Sequence, residues 1–360
     1  MRKLATLLTL VLIIGTFGIM ASGCTEKEEA LPEEDVDYEI ALVTDDGITD
    51  GSGHSEVAWN SIIEFGGLNG ISHKYYKATE PTEQAFIEII KTAINSGAKI
   101  VIIDNSSMEK AAYKMQKEYP EIDFVLTDAE PYDAETGDIM IAENTAAVAF
   151  DSAQAGYLAG YASAKEGYTS LGFIGQSEER EIADFGYGYV KGANRGARET
   201  GMYIEMSYRY CDDYSDPEKV KKLAEDMYDN GVQVVFAAGS DIQAPVIAAA
   251  EYKEGKVIGS ISDQSSKSDA VITSAVYSID KALKDVLKDY EKGDFPGGEV
   301  LAYNAGNDGI GLALRVHGLE QLTQKEYDSI CEELAKEGTG LNRDRISSVN
   351  DIRAPYITIK

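Results

Sequence analysis

From residue 38 onward the hydrophobic positions alternate between two periods. Runs at 40–43, 73–76, 99–103, 123–126 and 146–150 read as strands, several rich in β-branched residues. The stretches between them, 56–65, 82–96 and 108–118, read as helices. In the second of these, Ala85, Ile89 and Ala93 join Phe86 and Ile90 in one apolar stripe. Thr82 is placed to cap that helix, with Pro81 just outside and Glu83 in its first turn. A second series repeats the alternation, with helices at 154–165, 182–199, 217–230, 242–252 and 280–290. Its strands fall at 170–174, 203–208, 232–237, 257–261 and 271–276. Asp216 before Pro217 marks one helix start, and Gly231 marks its left-handed stop. Strand–helix alternation of this kind predicts parallel sheets with helices on both faces.

Two such series predict an α/β chain of two doubly wound lobes, joined by a hinge, with a ligand cleft between them. The first lobe is expected to comprise 38–150 and 278–300, and the second 151–277. Residues 301–360 are expected to form a last crossover and a closing segment. The first strand runs into an acidic, glycine-rich loop at 45–56 that holds no Lys or Arg. Such a loop lies at the carboxyl edge of the sheet, where ligands of open α/β folds bind. It suits a neutral, hydroxyl-rich molecule better than a phosphate.

The N-terminal pattern is different. Met1, Arg2 and Lys3 precede an apolar run over 4–20, and Ala21, Ser22 and Gly23 stand directly before Cys24. Residues 1–23 read as an export leader of the lipoprotein kind, with Cys24 as the lipidated residue. An ordinary cleaved leader with an incidental cysteine is the alternative. Residues 24–37 read as an acidic tether, and no later stretch is long or apolar enough to span a bilayer. Cys211 and Cys331 are compatible with a disulfide or with two buried thiols.

Charge narrows the partners. The 360-residue chain holds 33 Lys plus Arg against 62 Asp plus Glu, a net charge of −29. Nucleic acid and polyanionic ligands call for basic patches, so neither is expected. The three His, at 54, 73 and 317, lack zinc spacing. With Asp46 as first position, a calcium loop fails at Ile48 and Val57. There is no nucleophile elbow or phosphate loop, and the glycines at 186, 188 and 192 lie inside a helical pattern. No metal or cofactor is therefore expected. What remains is polar residues after several strands: Asp45, Asp46 and Asp50; Asp104; Asp128; Gln176; Gly239, Ser240 and Asp241; Asp263 and Gln264. Each alone reads as a cap or turn residue, but together they can line a cleft. Phe185 reads either as a ring face for a ligand or as core.

Several of these stretches are similar to one known family. They are 119–128 (ending in Thr127-Asp128), Gly156-Tyr157-Leu158-Ala159-Gly160, Leu171-Gly172-Phe173-Ile174-Gly175 and the run 185–192. To these add Ala237-Ala238-Gly239, Ser262-Asp263-Gln264 and Gly309-Ile310-Gly311-Leu312-Ala313. The chain resembles the basic membrane protein family of lipoproteins, nucleoside-binding substrate-binding proteins of ABC transporters, over roughly 38–315. The resemblance implies a periplasmic-binding-protein fold of the first type, closure on a small ligand, an ABC permease as partner and no catalysis. It also implies a lipid-anchored position on the outer side of the cell membrane. It places Asp46, Asp50, Asp128, Phe185, Gly239 and the region of Asp263 at the nucleoside. Three positions depart from the family pattern. His54 falls near a usual Phe, with Trp59 the other aromatic nearby. Ile261 stands for a usual Asp, and Tyr277 for a usual Lys. A different small metabolite or signal, presented to a sensor, thus stays open beside a purine nucleoside. Two readings from other classes are a nucleoside hydrolase using Asp46 and Asp50, and a surface adhesin.

Overall fold

The computed structural model of the chain describes residues 37–45, 53–104, 106–314, 318–336, 341 and 348–360. The leader, the tether as far as residue 36 with Cys24, and the loop bearing Asp46 and Asp50 lie outside the described residues. Residues Asp37–Lys360 belong to one unit.

The first series forms β1 (Ile40–Thr44), α1 (His54–Asn69), β2 (His73–Lys77), α2 (Glu83–Asn95), β3 (Ile100–Ile103), α3 (Glu109–Glu118), β4 (Asp123–Thr127) and β5 (Thr145–Phe150). The second forms α4 (Ser152–Lys165), β6 (Ser170–Gly175), α5 (Arg180–Thr200), β7 (Ile204–Tyr210) and α6 (Pro217–Asp229). It continues through β8 (Val234–Ala238), α7 (Gln243–Lys253), β9 (Lys256–Ile261) and β10 (Val271–Tyr277). After it come α8 (Ile279–Lys292), β11 (Glu299–Tyr303), β12 (Ile310–Leu312), α9 (Gln324–Leu334) and β13 (Ile357–Ile359). Local chemistry sets the ends. Thr82 accepts from Ala85 N, Asp216 from Glu218 N and Lys219 N, and Asp151 from Gln154 N. The thiols of Cys211 and Cys331 are both free.

The strands make two sheets. One has the order β11-β5-β4-β3-β1-β2, with every pair parallel. The other has the order β12-β10-β9-β8-β6-β7-β13, parallel except where β12 meets β10. Counted within its own series, each sheet therefore runs second, first, third, fourth, fifth. Strand order reverses beside β1 and again beside β6, and each reversal opens a crevice at the carboxyl ends.

Side chains along β1 alternate between two cores, as strand geometry requires. Ala41 and Val43 join Phe86, Ile90 and Met115 from α2 and α3. Ile40 and Leu42 join Ile62, Leu283 and Val286 from α1 and α8. The strand is fully buried because helices cover both faces.

Three segments carry the chain between the sheets: β5 into α4, β10 into α8, and β11 into β12. Hydrogen bonds tie them side by side, Asp151 N to Tyr303 O at 2.9 Å and Ser278 N to Gly309 O at 2.9 Å. Gln154 Oε1 accepts from Ala305 N at 2.9 Å. Aromatic residues end the three strands. Phe150 and Tyr277 stack at 4.6 Å and 5°, and Tyr303 lies 5.7 Å from Phe150.

Helices α4 and α5 pack backbone to backbone through glycine. A Cβ on Gly160 would lie 2.1 Å from Tyr189 O, and one on Gly188 would lie 1.9 Å from Ala153 O. Gly188 and Gly192 thus serve helix packing, whereas a Cβ on Gly186 would lie 1.9 Å from Tyr208 Oη on β7. That packing fixes the N-terminal end of α5, which carries Glu181 and Phe185, beside the crossings.

Candidate functional site

The first crevice is built where β1 and β3 end. His54 opens α1 and points its Nε2 to Asp104 Oδ1 at 2.9 Å. Thr127, the last residue of β4, donates its hydroxyl to the same oxygen at 2.6 Å. The Asp104 side chain is fully buried, and its Oδ2 has no hydrogen-bond partner among the described residues. Burial alone pulls the His54 imidazole down. The Asp104 charge and hydrogen bond, aided by Glu181, outweigh it and hold His54 above its ordinary 6.5. Nearby, Ser107 donates to Asp45 Oδ2 at 2.7 Å.

The second crevice mirrors the first. Gln176 after β6 and Asp241 after β8 clasp each other, side-chain amide to carboxylate at 3.0 Å and Asp241 N to Gln176 Oε1 at 2.9 Å. Gly239 holds φ +125, and a Cβ there would fall 2.4 Å from Gln176 Cβ, so only glycine permits the clasp. Its N–H donates to Ser260 Oγ at 3.0 Å. Burial raises the Asp241 carboxyl against the opposing hydrogen bond of Gln176, and the charge of Asp45, from the first crevice, adds to the rise. The two crevices therefore face each other.

Between them is a cavity of about 400 Å³, within the range of small-molecule sites. Gly53 and His54 line it from the first sheet, and Asp241, Gln243, Ile261 and Ser262 are among those lining it from the second. Ile261 has φ +69, and Ser262 N closes a γ-turn onto Ser260 O at 2.7 Å. A β-branched residue there is strained, and such strain gathers at functional sites. Ser262 and Gln264 border the cavity, whereas Asp263 Oδ1 accepts from Ser265 N at 2.9 Å within its own turn. A second cavity of about 430 Å³ lies beyond β7, among Arg209, Asp226 and Lys360. It borrows nothing from the first sheet.

Behind the first cavity lies an aromatic and acidic knot. Tyr277 stacks on Phe150 and, at 5.5 Å and 13°, on Phe185. Its hydroxyl donates to Glu181 Oε1 at 2.8 Å, so Ser152 Oγ, also 2.8 Å away, donates to it. Burial, then the charges of Glu181 and Asp128, push the Tyr277 phenol well above 10.0, which keeps it a neutral donor. Phe185 is fully buried against Tyr277 and Phe236, so its ring is core here. Asp128 adopts φ +54. Burial first, then Glu181, raise the Asp128 carboxyl well above its ordinary range, with the Phe150 N–H acting the other way.

The structure thus brings His54 and Ile261 to the lining of one cavity, sets Gly239 next to lining residue Ser240 and Asp263 between lining residues Ser262 and Gln264, and places Asp128, Phe185 and Tyr277 in the knot behind it. Asp46 and Asp50 are outside the described residues. Reading strand ends found Asp104 without giving it a role, and it missed Glu181 and Ser152. Glu181 lies in a helix turn, among the neighbouring acids Glu178 and Glu179, where no local pattern singles it out.

A family profile described as ABC transporter substrate-binding protein PnrA-like matches residues 39–350. The chain belongs to this family. Its members are substrate-binding components of ABC transporters and not enzymes, so a small-molecule ligand and a transporter permease are its partners, and its place is extracytoplasmic. Over 320 residues it is 26% identical to the ABC transporter nucleoside-binding protein BmpA of Lactococcus lactis subsp. cremoris, covering 82% of this chain and 86% of that one. Among solved structures, an ABC solute-binding protein of Aeropyrum pernix K1 superposes with TM-score 0.66 at 18% identity, covering 82% of this chain and 85% of that one. A transcriptional activator of the comK gene from Bacillus halodurans superposes with TM-score 0.68 at 18% identity, covering 83% and 98%. Both structural likenesses show the periplasmic-binding-protein type of α/β fold. No helix of the described residues is long and apolar enough to cross a membrane.

Proposed function

We propose that this protein is anchored to the outer face of the cell membrane through Cys24, binds a purine nucleoside between its two lobes, and closes on it for delivery to the permease. The lobes are those built on the two sheets, hinged at the three crossings. One observation carries the reading: two equivalent crevices face each other across a cavity of about 400 Å³ whose lining sets carboxylate, amide and hydroxyl groups such as Asp241, Gln243 and Ser262 beside apolar Ile247 and Ile261. Such groups pair with ribose hydroxyls and base edges. A ligand touching both walls favours the closed form by its differential affinity for it. The nucleoside-binding relative in Lactococcus supports the ligand class. The loop holding Asp46 and Asp50 sits in sequence between β1 and α1.

A second reading has its own observation. Tyr277 lies against Phe185 and Phe150, which leaves no exposed ring face on Phe185 for a base. That supports a smaller polar ligand seated wholly in the cavity by His54, Asp241 and Ser262. Thermal unfolding of the protein, stripped of carried-over ligand, against nucleosides, bases, sugars and amino acids separates the two. A ligand at a hundred times its dissociation constant adds about 2.7 kcal/mol, a plain shift. A shift with inosine, guanosine or adenosine that is lost in Asp128→Ala is the expected result. A response only to other classes selects the second reading, and silence across the panel sinks both.

A further inference from the structure

Gln243 opens α7 and is buried, with 5% of its surface exposed, yet it lines the cavity of about 400 Å³. Its amide nitrogen donates to Ala237 O at 2.9 Å and to Gly239 O at 2.7 Å, and lies 2.8 Å from Ser260 Oγ. Carbonyl oxygens only accept, so the nitrogen must face them, and the orientation of the amide is fixed. That leaves Oε1 on the other arm of the amide, where it has no hydrogen-bond partner among the described residues. A buried acceptor left in this way is costly, and each one in a native structure calls for a reason. The surroundings indicate which donor suits it. Ser260 and Ser262 at the end of β9 and Asp241 after β8 bring hydroxyl and carboxylate groups to the same cavity. From there the lining follows α7, where Ala244, Ile247 and Ala248 continue the face that begins with Gln243. The cavity thus has a polar end at the strand termini and an apolar strip along the helix.

We propose that Gln243 is a specificity-determining ligand contact: its Oε1 accepts a hydrogen bond from a ribose hydroxyl, while the base lies along the apolar strip of α7. This deepens the nucleoside reading above and rests on it. A hydroxyl fits the place because it donates to Oε1 and still offers two lone pairs to the serine hydroxyls at the same end. A purine face needs no polar partner along Ala244, Ile247 and Ala248. A nucleoside that lacks the hydroxyl leaves Oε1 buried and unpaired beneath the ligand, and sites built around a hydrogen bond reject such analogues. The fixed amide sharpens this preference. Gln243 cannot rotate to offer its nitrogen instead without setting Oε1 against the carbonyls of Ala237 and Gly239.

The test is calorimetry of inosine and its 2′-, 3′- and 5′-deoxy forms with the wild-type protein, Gln243→Met and Gln243→Lys. In the wild type at least one deoxy form is expected to bind about ten- to a hundredfold more weakly than inosine. Gln243→Met matches the side chain in length but has no acceptor, so it should bind inosine and one of those forms alike. Gln243→Lys keeps a donor for the two carbonyls without an acceptor, and should lose the same discrimination even where Gln243→Met folds poorly. A role confined to holding the turn after β8 would weaken all four ligands in parallel and leave their ranking intact. That outcome, or equal binding of all four by the wild type, overturns the proposal. If inosine does not bind at all, the nucleoside reading fails, and a crystal structure of the ligand-free protein judges the acceptor. Solvent reaching Gln243 Oε1 from the cavity supports it as the contact for another hydroxyl-bearing molecule, and a protein group donating to Oε1 overturns it.

Discussion

His54 is the residue where burial and charge pull in opposite directions. Removal from water, the largest single effect, favours the neutral ring, and Asp104 at 2.9 Å together with Glu181 outweighs it in favour of the imidazolium. The sign of its pH effect follows. With a folded pKa above the unfolded 6.5, its stabilisation is complete below 6.5 and is lost as pH rises through the folded value. With only three histidines in the chain, proton NMR can follow each ring. His54 is expected to titrate above 6.5 in the wild type, and below it in Asp104→Asn, where only Glu181 opposes burial. A ring that stays above 6.5 in the variant would show that Asp104 is not the cause. The sequence marks both residues as polar strand-end or loop positions. It cannot show that they meet, because 50 residues and a βαβ crossover separate them.

At the level of elements, the glycine seam between α4 and α5 controls where Glu181 and Phe185 stand. Gly188→Ala forces a methyl to within 1.9 Å of a backbone oxygen that cannot rotate away, so the helices must separate. A loss of about 3 kcal/mol in chemical denaturation is expected, at the upper end of overpacking costs. Gly67→Ala, in α1 with open space around it, should instead gain about 0.8 kcal/mol from helix propensity. Equal effects at the two sites would contradict the seam. The alternating strands and helices as far as 290 were legible because each carries a strong local period or cap. Beyond 290 the signals are weaker. β11 is a half-exposed edge strand, and β12 and β13 have three residues each, stabilised by partners distant in sequence. α9 did carry a readable start, the Thr323–Glu326 capping box. The knot of Phe150, Phe185, Tyr277, Asp128 and Glu181 was legible only in part, because its members come from four separate elements or their ends. A polar residue after a strand reveals a crevice, but the partner that a helix from the other series presents to it is a tertiary fact.

For the whole molecule, a net charge of −29 is distributed so that acid faces acid across the cleft. Asp45 acts on Asp241, Glu181 on Asp128, and Glu179 on Glu109, each pair joining residues from opposite sheets. The closure proposed above would therefore work against like charges, which a bound ligand must overcome. Salt weakens it, since the screening length falls from about 30 Å at 0.01 M to about 3 Å at 1 M. For an uncharged nucleoside no attraction between ligand and protein is screened in return. Raising NaCl from 0.02 to 0.5 M at pH 8 is thus expected to tighten binding by about three- to tenfold. The gain should shrink as pH falls, because the Asp128 carboxyl is raised and takes up its proton earlier than an ordinary carboxyl, relieving one of the three repulsions. Double substitution of Asp45 and Glu109 by Asn and Gln should weaken the salt response without abolishing it, since it leaves Asp128 and Glu181 intact. Affinity that falls with salt would mean that attraction across the cleft, with His54 at its centre, outweighs the facing carboxylates.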